Sequence, residues 1–143
     1  MGSGWEVALS YASFVTTGLN NKYVLINGAI FESKEAPKIL RNQKEREIIP
    51  PRKKRYQTLV GSEILSRRNI SLTIVCKATG TPAPTITWLR NGNRVSSKGN
   101  VKIKKGGRLR IKSLSENNVG QYQCRAGNSF GYDAAASNII IRS

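Results

Sequence analysis

Two stretches of the sequence decide the fold: NISLTIVC at residues 69–76 and NVGQYQCRAGN at residues 118–128. In each stretch the apolar or small residues recur at every second position and share that phase with a cysteine, Cys76 in the first and Cys124 in the second. A period of two is typical of a strand with one buried face. A further strand-like run, Thr85–Arg90, carries Trp88 twelve residues after Cys76. The sequence therefore predicts strands whose inner faces carry two cysteines and a tryptophan.

The spacing of these landmarks is that of an immunoglobulin sandwich, in which a tryptophan lies between two cysteines and a tyrosine, here Tyr122, stands two residues before the second. We predict an all-β Greek-key sandwich clamped by one inter-sheet disulfide, with the indole packed on the sulfur atoms and the tyrosine hydroxyl bonded to corner backbone. Leu109 joins Trp88 and Tyr122 in the predicted core. This fold carries many activities, so it does not by itself indicate a function.

The two cysteines lie 48 residues apart, each in an apolar strand pattern, which favours a buried bridge over a redox or zinc pair. A loop of that length is stabilised by about 4 kcal/mol in the chain-entropy model. A disulfide implies an oxidising compartment and hence a secreted or extracellular protein. The alternative is a pair of reduced thiols, as in intracellular sandwich domains of muscle and the cytoskeleton.

Charge distinguishes the composition, with 24 Lys and Arg against 8 Asp and Glu and a net charge of +16. Such a balance indicates polyanionic partners: sulfated glycosaminoglycan, nucleic acid or an acidic protein face. There is no histidine, and Asp133 is the only aspartate. Because that composition removes most routes to acid–base, triad or metal chemistry, we expect neither an enzyme nor a metal or cofactor site. The sequence contains no run of 18 apolar residues, so we expect no membrane span.

The residues before the sandwich divide by composition. Residues 1–4 resemble an expression scar, so we expect a piece of a longer protein whose targeting signal lies elsewhere. Residues 5–32 are apolar and aromatic, and Asn27-Gly28 predicts the tight turn of a hairpin because both residues accept positive φ. An isolated hairpin is marginal in water, so we expect this segment to be only partly ordered or to belong to an upstream domain.

Residues 33–58 are charged and contain prolines, and we predict a linker there, followed by the sandwich domain over residues 59–143. Within the linker, Lys38 to Ile48 is predicted as a short helix that Pro50-Pro51 ends. Ser62 to Leu65 is predicted as an edge strand.

A run of four basic residues lies in the predicted linker: Arg52, Lys53, Lys54 and Arg55. The run resembles the recognition site of furin-type proprotein convertases, and the two prolines before it favour an extended, exposed chain. The sequence leaves open a glycosaminoglycan-binding run, a nuclear-localisation cluster and a plain solvated linker. The predicted disulfide argues against nuclear import.

A triplet for N-glycosylation begins at Asn69, in the sequence Asn-Ile-Ser. The strand alternation places Asn69 on the outer side at a strand start, where a glycan would be tolerated. Short triplets also arise by chance, so an unmodified Asn69 is the alternative.

Two consecutive predicted strands, Val101–Lys104 and Arg108–Lys112, carry cations at every outward position. Their apolar residues must face inward, so the basic residues between them face solvent. A short glycine turn joins the strands, which should pair antiparallel and bring direct neighbours to about 4.5–5.5 Å. The predicted polyanion site, including the turn residue Lys105, is Lys102, Lys104, Lys105, Arg108, Arg110 and Lys112.

Two other interpretations of this basic face stay open. Like charges at such distances destabilise a sheet slightly, and lysine on an edge strand also guards against aggregation, so solubility alone could explain them. Nucleic acid is disfavoured because this face has no interleaved aromatic side chains for base stacking. Docking of heparan sulfate is the functional interpretation.

The landmarks above, with Cys124-Arg125-Ala126-Gly127-Asn128 and a later glycine, resemble the I-set class of immunoglobulin-like domains. Asn118 departs from the class, which usually has an aspartate there; the amide can still hydrogen-bond, so we expect some loss of stability and no change of fold. Within the class, the C-terminal half is similar to the immunoglobulin domain of neuregulins and of Vein, on Lys102-Ile103-Lys104-Lys105, Leu109-Arg110-Ile111 and the ending DAAASNIII.

That resemblance implies a heparan sulfate-binding module of a secreted growth factor, in which a separate EGF-like module activates the receptor. The hypothesis is therefore a non-catalytic extracellular module of a signalling or matrix protein. The alternatives are an adhesion or receptor-ectodomain module that contacts a protein partner, and an intracellular I-set domain of muscle or the cytoskeleton.

Overall fold

Strands of the kind predicted from the sequence make up most of the described chain. The structure is a computed structural model that describes residues 23–32, 34–48 and 55–142. Within these ranges it has fourteen strands and one short 3₁₀ turn, Glu116–Asn118. The prediction of an all-β sandwich is confirmed. No helix in the same ranges is long and apolar enough to cross a membrane.

A hairpin begins the described chain. β1 (Tyr23–Ile26) pairs antiparallel with β2 (Ala29–Glu32) around a turn at Asn27 and Gly28. Both turn residues have positive φ, 50° and 80°, which an Asn-Gly pair adopts readily.

The remaining strands form the sandwich. In chain order they are β3 (Glu35–Leu40), β4 (Arg46–Glu47), β5 (Arg55–Leu59), β6 (Ser62–Ser66), β7 (Ser71–Val75), β8 (Lys77–Thr81), β9 (Thr85–Arg90), β10 (Asn93–Arg94), β11 (Val101–Lys104), β12 (Arg108–Ile111), β13 (Gly120–Asn128) and β14 (Gly131–Ile141). A six-stranded sheet has the order β10-β9-β13-β14-β6-β4, and a four-stranded sheet has the order β11-β12-β7-β5. β3 pairs antiparallel with β8, which starts just after β7.

The core lies between these sheets and holds the predicted landmarks. Cys76 and Cys124 form the disulfide, with their Cα atoms 6.3 Å apart. Trp88 is buried directly across the β9–β13 pair from Cys124, and Leu109 is buried on β12. The hydroxyl of Tyr122 donates to the carbonyl of Asn118 at 2.8 Å, and burial raises the pKa of that hydroxyl. The landmark residues thus form one interior.

The departure at Asn118 is accommodated by hydrogen bonds. Its side-chain oxygen accepts from the backbone N–H of Ser115 at 3.0 Å and from the side-chain amide of Asn100 at 3.1 Å. The amide therefore ties the 3₁₀ turn to the neighbouring loop without a carboxylate.

The segment expected to be a linker contributes three strands to the sandwich. The helix expected over Lys38–Ile48 is wrong, because β3 and β4 occupy that range. Ile39 is buried and its backbone N–H donates to the carboxylate of Asp133 at 2.8 Å, so tertiary pairing overrides the local helix preference. β6 is also not an edge strand, since β4 pairs with its free side.

The segment between β3 and β6 contains β4 and β5, and hydrogen bonds join its two ends. The backbone N–H of Asn42 donates to the carbonyl of Val60 at 2.9 Å, and its side chain donates to Thr58 and Leu59, each at 3.0 Å. Gly61 has φ +118°, and a Cβ there would lie 2.6 Å from the carbonyl oxygen of Asn42. Glycine is therefore required at this junction. Between these joined ends, β4 extends the six-stranded sheet and β5 extends the four-stranded sheet.

Candidate functional site

The register of β11 and β12 decides where the predicted cations lie. Lys102 is opposite Arg110, and Lys104 is opposite Arg108. Leu109 and Ile111, which alternate with the arginines, are fully buried. Strand geometry therefore puts these four cations on the outer face of the four-stranded sheet, with three of them exposed and Arg110 half-buried.

β5 brings a further cation to this face that the strand pattern of β11 and β12 could not reveal. It runs parallel to β7, with Arg55 opposite Ser71 and Gln57 opposite Thr73. Arg110 is opposite Thr73 on the other side of β7. Arg55 and Arg110 thus flank the short polar side chains of β7, which leave room between them.

The space over β7 is a shallow groove of about 410 Å³. Its lining consists of Arg55, Tyr56, Gln57, Ser71, Thr73, Lys104, Arg108 and Arg110. Four of these eight residues are cations, and the other four carry a hydroxyl or an amide. Such a lining offers many hydrogen-bond donors to an anion.

Two contacts orient the guanidinium groups of the groove. Nε of Arg110 donates to the hydroxyl of Ser71 at 3.3 Å, and Nε of Arg108 donates to the carbonyl of Lys105 at 3.3 Å. Each guanidinium keeps its terminal N–H groups, which match the oxygens of sulfate or carboxylate. Within residues 23–32, 34–48 and 55–142, the ion pairs involve Arg41, Arg68 and Arg142, and none involves a groove cation. The groove therefore concentrates positive charge that no carboxylate of the described ranges pairs with.

The predicted set divides into groove and margin. Lys104, Arg108 and Arg110 line the groove. Lys102 lies on the same face beside Arg110 but outside the groove, Lys105 lies in the β11–β12 turn, and Lys112 follows the end of β12. The three marginal lysines are exposed and extend the positive surface around the groove.

Sequence reasoning missed Ser71 and Thr73, and it placed Arg55 only in a basic run. The signal that was available is the alternation of Tyr56, Thr58 and Val60, which are partly or fully buried. The adjoining basic run and prolines made a linker the simpler prediction.

The remaining candidate sites lie at or near the ends of strands. Asn69 is exposed with φ 65° just before β7, and this leaves its side chain accessible to a glycan.

The predicted convertase site lies mostly outside the described residues, which do not include Arg52, Lys53 and Lys54. Arg55 opens β5 and pairs with Ser71, so a convertase that binds an extended substrate would have to displace the start of that strand.

Comparison with known proteins gives the family and the fold. The sequence profile of the immunoglobulin I-set domain matches residues 59–141. ADAMTS-like protein 3 of Homo sapiens is 37% identical over 103 residues, which is 72% of this chain and 6% of that protein. Neogenin of Rattus norvegicus is 35% identical over 80 residues, 56% of this chain and 6% of that protein. Hemicentin-1 of Homo sapiens is 45% identical over 62 residues, 43% of this chain and 1% of that protein. The chain therefore spans only a few per cent of the length of these relatives.

Solved structures agree on the fold. The crystal structure of neural ectodermal development factor IMP-L2 superposes with a TM-score of 0.61 at 18% identity, covering 79% of this chain and 46% of that one. Sidekick-1 immunoglobulin domains 1–5 superpose with a TM-score of 0.60 at 21% identity, covering 84% of this chain and 24% of that one. At these identities the likeness is one of fold alone.

Proposed function

The chain belongs to the immunoglobulin I-set domain family, and we propose that it is an extracellular binding module that docks on heparan sulfate or a similar glycosaminoglycan. I-set domains are generally non-catalytic binding modules, and a receptor or adhesion molecule is the kind of protein partner that the family indicates. The polysaccharide is the finer part of the proposal, and it concerns the outer face of the four-stranded sheet.

One observation carries the proposal: Arg55, Lys104, Arg108 and Arg110 line one groove, and no described carboxylate neutralises them. Sulfated polysaccharides present regularly spaced sulfates and carboxylates along a flexible chain. Each contact with an exposed cation is weak, about 0.2–1 kcal/mol, but several act together in one groove. The open, shallow shape suits a chain that crosses the sheet and not a small enclosed ligand.

The same face supports polysaccharide over single-stranded nucleic acid. Binders of single strands stack bases on exposed aromatic rings. Tyr56 is the aromatic residue of the groove, but it alternates with Arg55 and Gln57 along β5 and packs against the core. Its ring is therefore directed away from a ligand on the outer face.

The test compares two double variants that remove the same formal charge. Lys104→Gln with Arg110→Gln alters the groove, whereas Arg94→Gln with Arg125→Gln alters exposed positions of the six-stranded sheet. We expect the groove variant to bind a heparin oligosaccharide about 2- to 30-fold more weakly, as the loss of two contacts of that size implies. Isothermal titration and elution from immobilised heparin measure the change.

The control variant should lose much less affinity, because its two cations lie on the other sheet. Equal losses in both variants would mean that heparin responds only to diffuse net charge, and the groove proposal would then fail. Raising the salt concentration should weaken heparin binding by the wild-type protein more than binding by the groove variant, since screening acts on each exposed contact.

An extracellular location and a place in a growth factor are finer parts of the same proposal. The disulfide supports an oxidising compartment, and the resemblance to neuregulins and Vein supports a module that anchors a tethered EGF-like partner and raises its local concentration. The reading frame downstream of Ser143 tests this, since the proposal expects the six-cysteine pattern of an EGF-like module there. A downstream sequence without that pattern would remove the growth-factor part and leave the groove untouched.

A further inference from the structure

The outer face of β9, β13 and β14, at the centre of the six-stranded sheet, differs from the cationic face. Trp88, Cys124 and Ala135 lie across from one another and face the core, so the residues on either side of each face solvent. Arg125 is the single charged residue among the outward positions of these three strands. In a chain of net charge +16, this is a nearly uncharged surface.

A depression of about 370 Å³ lies in this face, lined by Thr85, Thr87, Leu89, Arg125, Gly127 and Tyr132. Thr85, Gly127 and Tyr132 form one row across the three strands. Gly127 therefore forms the floor, with a threonine on one side and a tyrosine on the other. Tyr132 is 72% exposed, and Leu89 is half-buried.

Neither backbone conformation nor packing requires glycine at position 127. Its φ lies outside the left-handed region, and a Cβ there would meet its nearest neighbours, Cβ of Tyr132 and the carbonyl oxygen of Gly131, at 3.8 and 4.0 Å. Gly107 contrasts with it, because a Cβ there would lie 2.3 Å from the carbonyl of Cys76. The missing side chain at Gly127 thus leaves the floor open without serving the fold.

We propose that this depression docks an acidic protein, which places an apolar side chain over Gly127 beside Tyr132 and a carboxylate against Arg125. An exposed tyrosine next to an open floor and one arginine at the rim is the composition of an interface centre. Arg125 forms no ion pair with any carboxylate in the described ranges, so its charge is available to a partner. The inference rests on the protein partner of the proposed function and not on its polysaccharide.

Charge decides between the occupants of this surface. A second copy of the chain would bring another net charge of +16 and, in a symmetric contact, another Arg125. A polysaccharide finds one cation here and four in the groove of the other sheet. An acidic protein is instead attracted by the whole molecule and finds an apolar centre with one charge to pair.

The experiment selects a phage-displayed library of random twelve-residue peptides on the intact chain and measures the selected peptides by titration. We expect acidic peptides with an aromatic or aliphatic residue, which bind Gly127→Leu at least 10-fold more weakly and Arg125→Gln about 3- to 10-fold more weakly. The groove variant Lys104→Gln with Arg110→Gln should change their affinity less than twofold. Thermal melting of each variant checks folding, and Tyr132→Ser, at an exposed position, gives a second disruption of the same depression.

Three results would overturn the proposal. Peptides that lose affinity in the groove variant, or in none of the variants, do not bind at this depression. Light scattering that shows a dimer of the wild-type chain, dissociated by Gly127→Leu, would make a second copy the occupant. A heparin oligosaccharide that displaces the peptides from the wild-type protein but not from the groove variant would place both ligands in the groove. A failure here with a normal heparin result leaves polysaccharide docking intact.

Discussion

The two outer faces of the sandwich are built by the same alternation over the same core, yet they differ in charge. On the four-stranded sheet, the outward residues of β11 and β12 are all cations, and β5 adds Arg55. On β9, β13 and β14 the outward residues include one cation, Arg125. Inward positions are fixed by packing, whereas outward positions of a strand are free of that constraint. The difference in charge between the faces is therefore not imposed by how the chain folds.

The largest effect is expected on removal of the disulfide, which joins the two sheets that carry these faces. Replacing Cys76 and Cys124 by alanine opens a tie between residues 48 apart, and we expect the free energy of unfolding to fall by about 4 kcal/mol in the chain-entropy model. Urea denaturation measures the loss, and a reductant added to the wild-type protein should reproduce it. The same reductant should leave the stability of the alanine variant unchanged. A wild-type urea midpoint that the reductant does not alter would mean that the disulfide does not stabilise the sandwich.

The second prediction concerns the carboxylate that the six-stranded sheet directs inward. Burial alone would raise the pKa of Asp133, but the N–H groups of Ile39 and Ala134 and the guanidinium of Arg41 hold that pKa below its ordinary value of 3.8. A group with a depressed folded-state pKa adds stability above its unfolded pKa and loses it as the pH falls through the folded value. The contact should therefore weaken below about pH 4, as the ordinary carboxyl pKa indicates.

Asp133→Asn tests this directly. We expect the free energy of unfolding to fall by roughly 1 kcal/mol at pH 6. This is less than a hydrogen bond to a buried charge contributes, because the side chains of Arg41 and Asp133 are both partly exposed. The difference in free energy of unfolding between this variant and the wild-type protein, measured by urea titration, should shrink as the pH falls from 6 to 2. Glu63→Gln, at an exposed position of β6, is the matched control, and its stability should equal that of the wild-type protein at either pH. A difference for Asp133→Asn that stays constant with pH would mean that charge plays no part in holding β3 to β14.

The sequence predicted the alternation that turns the cations of β11 and β12 outward, and it missed the contacts between distant segments. Leu109 and Ile111 fix which way Arg108 and Arg110 point, because a strand alternates regardless of its partner. Arg55 could not be assigned in that way, since its position depends on the parallel pairing of β5 with β7. Gly127 was visible only as part of a family motif, and its open floor depends on Thr85 and Tyr132 from neighbouring strands.

The smallest effect is expected when one cation is neutralised on either face. Lys102 is directly opposite Arg110 on the cationic face, and like charges so placed are destabilising. Arg125 is opposite Thr87 and Ala134, so it meets no like charge across either pair. We expect Lys102→Gln to raise the free energy of unfolding by about 0.2–0.5 kcal/mol at 10 mM salt, and Arg125→Gln to raise it by less.

Salt separates local repulsion from the repulsion of the whole charged chain. Each substitution removes one unit from the net charge of +16, so the diffuse contribution is common to both variants. Their difference in urea denaturation at 10 mM salt thus reports the contact between Lys102 and Arg110, and it should vanish near 1 M salt, where the screening length falls to about 3 Å. Equal stabilities at low salt would show that the cationic face carries its charges at no cost to the fold, and edge protection or solubility would then explain them as well as a bound polyanion does.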